Sequence, residues 1–170
     1  TCLVCAIVSL STGSSWTTAG TVGVALIGVG EALGVPLGMA AGAVVSGAYF
    51  GDKVSPLSDT TNLAPAVAGS ELFEHIRHMA YTTVPALIIS ILLYLALGFF
   101  VVPGEGDTSN VALHQETIAG AFNLNPLLLL PPLLVIGMVI YRIPALPALL
   151  GGAVLGALFA VIFQGAGWGE

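Results

Sequence analysis

Charge is what this sequence has least of. Asp, Glu, Lys and Arg make up 7% of 170 residues, against about 25% in ordinary soluble domains, so the chain lacks the polar groups to cover a globule in water. A soluble enzyme is excluded on that ground. Bases are scarcer still: Lys53, Arg77 and Arg142 stand alone against nine acids, for a formal net charge of −6. Nucleic-acid binding, which rests on clustered Lys and Arg, has nothing to work with. Cysteine is limited to Cys2 and Cys5, too few for a disulfide framework or a four-ligand zinc site. In their apolar run they are expected to be buried fillers. No G-x-x-x-x-G-K-[ST], G-x-S-x-G or H-E-x-x-H pattern occurs, so ATP coupling and two familiar hydrolase chemistries lack their residues. Energy for any work would come from an ion gradient. The chain opens at Thr1 in an apolar stretch, without an initiating Met or a charged leader region, and is expected to be an internal piece of a larger membrane protein.

What is present is hydrophobic: 56% of residues, with a mean hydropathy of +1.02. Twenty-two Gly and ten Pro are interleaved with the apolar runs rather than with polar residues, as membrane helices allow. A helix needs about 20 apolar residues to cross the hydrocarbon core, which sorts the chain into about five crossings. They fall at residues 3–30, 36–66, 82–102, 124–141 and 143–163. An amphipathic helix at 70–80 is expected at the membrane surface, and an acidic loop at 103–123 outside the membrane. The expected fold is therefore an all-α polytopic membrane protein. Arg77 and Arg142 fall on one side of the third and fourth crossings, which the bias of basic loops makes the cytoplasmic side.

Two of the crossings are interrupted. Residues 11–18, Ser-Thr-Gly-Ser-Ser-Trp-Thr-Thr, put a run of hydroxyls in mid-span, where they must face protein or water rather than lipid. Residues 51–62, Gly-Asp-Lys-Val-Ser-Pro-Leu-Ser-Asp-Thr-Thr-Asn, interrupt the second. Here Gly51 is expected just past a helix end, with Ser55 as the N-cap of a second half-helix and Pro56 at its first position. Such a gap frees backbone carbonyls and collects Asp52, Ser55, Asp59, Thr60, Thr61 and Asn62, an oxygen-rich set suited to a hard cation such as Na⁺. A carboxylate within the membrane is by default functional, with Lys53 the expected charge partner. Burial favours the neutral form of a carboxyl and a nearby cation the ionised one, so a proton and a cation compete for the same oxygens. Ser14, Ser15 and Thr17 are candidates for a second broken-helix site. The alternatives are a polar loop outside the membrane, with Asp59 capping a helix, and hydroxyls bonding back to their own helices.

Other features read more plainly. Gly34, Gly38, Gly42 and Ser46, and again Gly152 and Gly156, form small-residue ridges for helix packing. Glu71, His75 and His78 share a face that is expected to be solvated, a proton-sensing or metal role being the alternative. Glu31 adjoins Gly30, Gly34 and Pro36 and is expected in a loop.

The run from Ser46 to Ala64, with its Asp-Lys-x-Ser-Pro-Leu-Ser-Asp-Thr-Thr-Asn core, resembles the signature of the NhaC-type Na⁺/H⁺ antiporter family. So do residues 75–79 with Tyr81-Thr82-Thr83 and Pro85, and the runs 126–132 and 144–148. Gly13-Ser14-Ser15-Trp16-Thr17 departs in part from a Gly-Thr-Ser-Trp-Gly-like motif of that family. The resemblance implies a multi-pass secondary transporter of the bacterial or archaeal inner membrane, within a superfamily of inverted-repeat bundles that are often homodimers. It would exchange external H⁺ for internal Na⁺ or Li⁺, needing the lipid bilayer but no cofactor, no metal beyond the transported ion and no nucleic acid. Asp52 and Asp59 match the acids of its motif, and Ser55, Thr60, Thr61 and Asn62 its polar positions. A Na⁺- and H⁺-coupled exchanger of organic acids such as malate and lactate is the alternative within the same resemblance. An intramembrane metalloenzyme using Asp52, Asp59, His75 and His78 is a remoter one.

Overall fold

The computed structural model describes residues 1–101 and 125–165, so the expected outer loop at 103–123 lies outside the described residues. All regular structure among the described residues is helical. They belong to two compact units, Thr1–Val111 and Ala112–Glu170.

In the first unit α1 (Cys2–Thr12) ends at Gly13, whose φ of 68° is a left-handed turn that favours glycine. The chain restarts at once, because the Ser14 side chain accepts a hydrogen bond from the Thr17 N–H at 3.2 Å and so caps the next stretch. That stretch runs through α2 (Ser15–Thr18), a π-helical turn (Ala19–Gly23) and α3 (Val24–Ala32). The first expected crossing is thus a helix broken at Gly13-Ser14 and bulged one turn later. A turn with Gly34 at φ 75° leads into α4 (Leu37–Val54), and α5 (Asp59–Ala68) follows after a second break.

Both helix boundaries at this second break lie later than the sequence reading placed them. Gly51 is inside α4, Ser55 ends that helix, and the N-cap of α5 is Ser58, whose Oγ accepts from the Thr61 N–H at 3.5 Å. The physical reason is that Gly51 serves packing rather than a turn: a Cβ there would run into the Ala6 carbonyl and the Leu10 N–H of α1. Ser55 in turn directs its Oγ–H to the Leu10 carbonyl at 2.8 Å.

α6 (Leu72–Val101) is one continuous helix of 30 residues, about 45 Å long where the hydrocarbon core is about 30 Å thick. The helix expected separately at 70–80 is therefore its first turns, since no stop signal lies between Ala80 and Thr82. Pro85 is accommodated within it, and upstream the Thr82 and Thr83 hydroxyls both donate to the Met79 carbonyl, at 3.0 and 2.8 Å.

α4 is the centre of the unit. α1 lies against it at Gly47 and Gly51, the first facing the Cys2 carbonyl and the second Ala6. The preceding segment meets α4 where Gly23 faces Val44 and Gly30 faces Ala40. α6 meets it where the Tyr94 hydroxyl sits over Gly42 and shares a hydrogen bond with Ser46 Oγ at 3.1 Å. Of the expected glycine ridge, then, Gly42 and Ser46 touch a neighbour, whereas Gly34 is in the turn and Gly38 has nothing within 4 Å. The closer seam is Gly47–Gly51, one register step away. The buried apolar set of this unit is small: Cys2, Cys5, Ala6, Ala40, Ala43, Val44, Ala48 and Leu57. Large apolar side chains point outward, Phe99 and Phe100 each 88% exposed. That inversion is what an apolar solvent around the helices produces, because Leu and Phe gain nothing by leaving lipid while small residues let backbones approach.

In the second unit a 3₁₀ turn (Pro126–Leu129) runs into α7 (Leu130–Ile140), and a tight connection with Arg142 at φ 57° leads to α8 (Ala145–Gln164). Gly152 of α8 seats Val135 of α7, whereas Gly156 has nothing within 4 Å. Among the described residues two helices are long and apolar enough to cross a membrane, Leu72–Phe100 and Ala145–Gln164, each with a mean hydropathy of 2.3. The segment expected as the fourth crossing is the shorter helix Pro126–Ile140.

Candidate functional site

The two broken helices meet at their breaks. A Cβ on Gly13 would stand 2.6 Å from the Leu57 carbonyl carbon and 2.8 Å from the Ser58 nitrogen, so the gap in one helix lies backbone against backbone on the gap in the other. A helix end leaves N–H and C=O groups without intrahelical partners, and side-chain donors reach several of them here. Ser55 Oγ donates to the Leu10 carbonyl in the last turn of α1 at 2.8 Å, and Ser9 Oγ adds a bond to the Ala48 carbonyl within α4 at 2.6 Å, both across the helix pair. Thr61 Oγ1 reaches the carbonyls of Asp52 and Lys53 at 3.3 and 3.1 Å, the first of which also accepts from the Ser55 N–H at 3.2 Å. Asn62 Nδ2 donates to the Pro56 and Ser58 carbonyls, each at 2.7 Å. Thr12 and Thr18 share a hydrogen bond at 3.3 Å. Ser9, Thr18, Ser55 and Ser58 are wholly buried.

Within this lattice Asp52 is the exception. Its Oδ2 accepts a hydrogen bond from Ser15 Oγ at 2.7 Å, across a separation of 37 residues. Its Oδ1 is buried and has no hydrogen-bond partner, the sole such side-chain atom among the described residues. Buried polar groups are nearly always satisfied. A carboxylate held by one oxygen, with the other enclosed and unpaired, is a place for a proton or a small cation. Val45, Ala48 and Tyr49 lie on the same face of α4 as Asp52, by their spacing. With Ser15, Trp16 and Ala19 they line a cavity of about 250 Å³.

The residues singled out in the sequence divide. Asp52 and Ser15 come together. Ser55, Thr61 and Asn62 sit in the same layer, but their donors are committed to backbone. Asp59 is exposed in the first turn of α5, where its Oδ1 accepts from the Thr60 N–H at 2.7 Å, and Thr60 is exposed beside it. Lys53 is exposed and, as the next residue on a helix, lies about 100° round from Asp52; the carboxylate's hydrogen-bond donor is the Ser15 hydroxyl. Ser14 is a cap, and Thr17 is exposed with its carbonyl accepting from Thr21 Oγ1 at 2.7 Å. Elsewhere, the Glu71 carboxylate accepts from the Glu74 N–H at 2.9 Å and so caps α6. His78 makes an edge contact with Tyr81, ring centroids 6.2 Å apart. No group of three or more His, Cys, Asp or Glu among the described residues is placed to hold a metal. Glu31 is exposed in the last turn of α3, and Cys2 and Cys5 are buried and free. The sequence reading passed over Ser9, although it recurs at every third residue with Thr12, Ser15 and Thr18.

Interrupted helices whose breaks meet are a feature of secondary carriers. In comparison with known proteins, residues 47–170 match the model of the Na⁺/H⁺ antiporter family, and the chain belongs to that family. It is 47% identical over 165 residues to the Na⁺/H⁺ antiporter NhaC of Alkalihalophilus pseudofirmus, covering 97% of this chain and 35% of the relative. It is 46% identical over 159 residues to NhaC of Bacillus subtilis, covering 94% and 35%. With the malate-2H⁺/Na⁺-lactate antiporter of Bacillus subtilis the identity is 42% over 165 residues, covering 97% and 35%. The chain thus spans about a third of the length of these relatives. No solved structure matches it.

Proposed function

We propose that the full-length protein carrying this chain exchanges Na⁺ or Li⁺ for H⁺ across the cell membrane of a bacterium or archaeon, with Asp52 alternately holding the proton and the cation. The observation that carries this reading is the enclosed, unpaired Oδ1 of Asp52 at the crossing of the two breaks. The names of the NhaC relatives support it. In this reading α4 and α5 are two half-helices about the site, and the chain contributes about five crossings to an inverted-repeat bundle that pairs as a homodimer. The transported ions are substrates, and no cofactor is required. Ser55, Thr61 and Asn62 keep the break in shape, while Asp59 and Thr60, being exposed, stand outside the ion site. The malate–lactate relative supports a second reading, in which the same carboxylate binds the coupling ion of an organic-acid exchange.

The test uses the full-length protein in everted vesicles from cells without their own Na⁺/H⁺ antiporters, with a dye that reports the pH gradient. Addition of Na⁺ or Li⁺ alone collapses the gradient in the parent and in Asp59→Asn, and fails to do so in Asp52→Asn at equal protein level. A response only in the presence of malate or lactate transfers the assignment to the organic-acid exchanger. Full exchange in Asp52→Asn removes the assignment of the site.

A further inference from the structure

We propose that Ser15 is the positioning residue of this site: its hydroxyl fixes one oxygen of Asp52 and so holds the other in place for the exchanged ion. The inference rests on the reading of Asp52 as the exchange group.

A serine hydroxyl has one hydrogen to donate, and Ser15 commits it to Asp52 Oδ2 at 2.7 Å. Ser15 is 5% exposed, so water does not compete freely for that hydrogen. Its position is set by backbone on both sides, through the left-handed turn at Gly13 and the Ser14 cap. A donor held on a carboxylate oxygen orients the group. Here it leaves Oδ1 as the oxygen without a hydrogen-bond partner.

The surroundings leave few competitors for this role. α1, α2 and the π-helical turn carry no charged residue. On α3 Glu31 lies in the last turn, next to Gly30, which packs on Ala40 near the start of α4. α6 meets α4 through Tyr94 at Gly42 and Ser46, before Asp52 along the helix, and its Glu74, His75, Arg77 and His78 lie in its first turns. α5 brings Asp59, bonded to the Thr60 N–H, and α4 itself brings exposed Lys53. Among the described residues Ser15 is the side chain that hydrogen-bonds the carboxylate. Because it belongs to the other broken helix, the same bond ties the two breaks to the orientation of one group.

The experiment measures Na⁺-driven proton movement by the full-length protein in proteoliposomes over a range of Na⁺ concentrations, for the parent, Ser15→Ala, Ser15→Thr, Ser15→Cys and Asp52→Asn. Loss of the donor leaves the carboxylate free to turn. Ser15→Ala therefore raises the KM for Na⁺ by about tenfold, a larger factor than any fall in kcat. Ser15→Thr keeps the hydroxyl and restores the parent KM, and Ser15→Cys, a weak donor, falls between. Should Ser15→Ala not accumulate, the Cys and Thr values carry the comparison. A Ser15→Ala KM equal to the parent's, or a loss confined to kcat, overturns the role of Ser15 while an inactive Asp52→Asn leaves the exchange site standing. Undiminished exchange in Asp52→Asn removes both.

Discussion

Gly13→Ala, set against Gly69→Ala, measures the crossing of the two breaks. Both glycines have nearly the same left-handed backbone, φ 68° and 69°, so each substitution carries the same intrinsic strain of about 1–2 kcal/mol. Each also gains the same few tenths to about 1 kcal/mol from a less flexible unfolded chain. They differ in what a Cβ meets: nothing within 4 Å at Gly69, but at Gly13 the Leu57 carbonyl and the Ser58 nitrogen, all under 3 Å. Those are backbone atoms, which cannot rotate away, and overpacking of that kind costs about 1–3 kcal/mol. Gly13→Ala is therefore less stable than Gly69→Ala by about 1–3 kcal/mol. The measurement is unfolding of the purified full-length protein in mild detergent, with Asp52-dependent exchange followed in parallel. Equal stability of the two variants refutes the backbone contact between breaks, and with it the geometry that brings Ser15 to Asp52.

Two further substitutions test the rest of the layer. Gly51→Ala drives a methyl into the α1 backbone and loses about 1–3 kcal/mol, whereas Gly38→Ala, in open space on the same helix, gains up to about 1 kcal/mol from helix propensity; equal effects in the same unfolding assay refute the seam. Thr61→Val keeps the shape but withdraws the donor from the Asp52 and Lys53 carbonyls, losing about 1–3 kcal/mol, and a neutral result shows that another donor satisfies them.

Both breaks were legible because the chemistry that ends and restarts a helix is local. Gly13 followed by Ser14, and the Ser-Pro-Leu-Ser-Asp run after Val54, announce a stop and a cap within a few residues. What each glycine does was not legible, since that depends on a partner far along the chain. Gly51 resembles a helix end, but its function is to admit the backbone of α1. The same limit hid the register of the ridge on α4, where Gly47 and Gly51, not Gly34 and Gly38, make the close contact. Asp52 and Asp59 were equivalent by composition, and a helix turn separates their fates: one is enclosed beside Ser15, the other exposed against its own N-terminus. The continuity of α6 was missed because an amphipathic stretch followed by an apolar one resembles two elements, although nothing between them breaks the helix.

The scarcity of charge and the abundance of small residues are two sides of one requirement. A helix broken inside an apolar medium exposes carbonyls and N–H groups that lipid cannot satisfy, so the break survives only where neighbouring side chains supply donors at close range. Glycine and alanine let α1 and α4 approach until Ser9 and Ser55 reach across the seam, and Thr61 and Asn62 close the remaining carbonyls. Every hydroxyl spent in this way lowers the cost of the break. The result is a site in which one carboxylate oxygen, Asp52 Oδ1, remains unsatisfied. A proton or a bare cation at that oxygen relieves a larger penalty than it would at the exposed acids Asp59 and Glu31, which is the physical ground for proposing Asp52 as the exchange group.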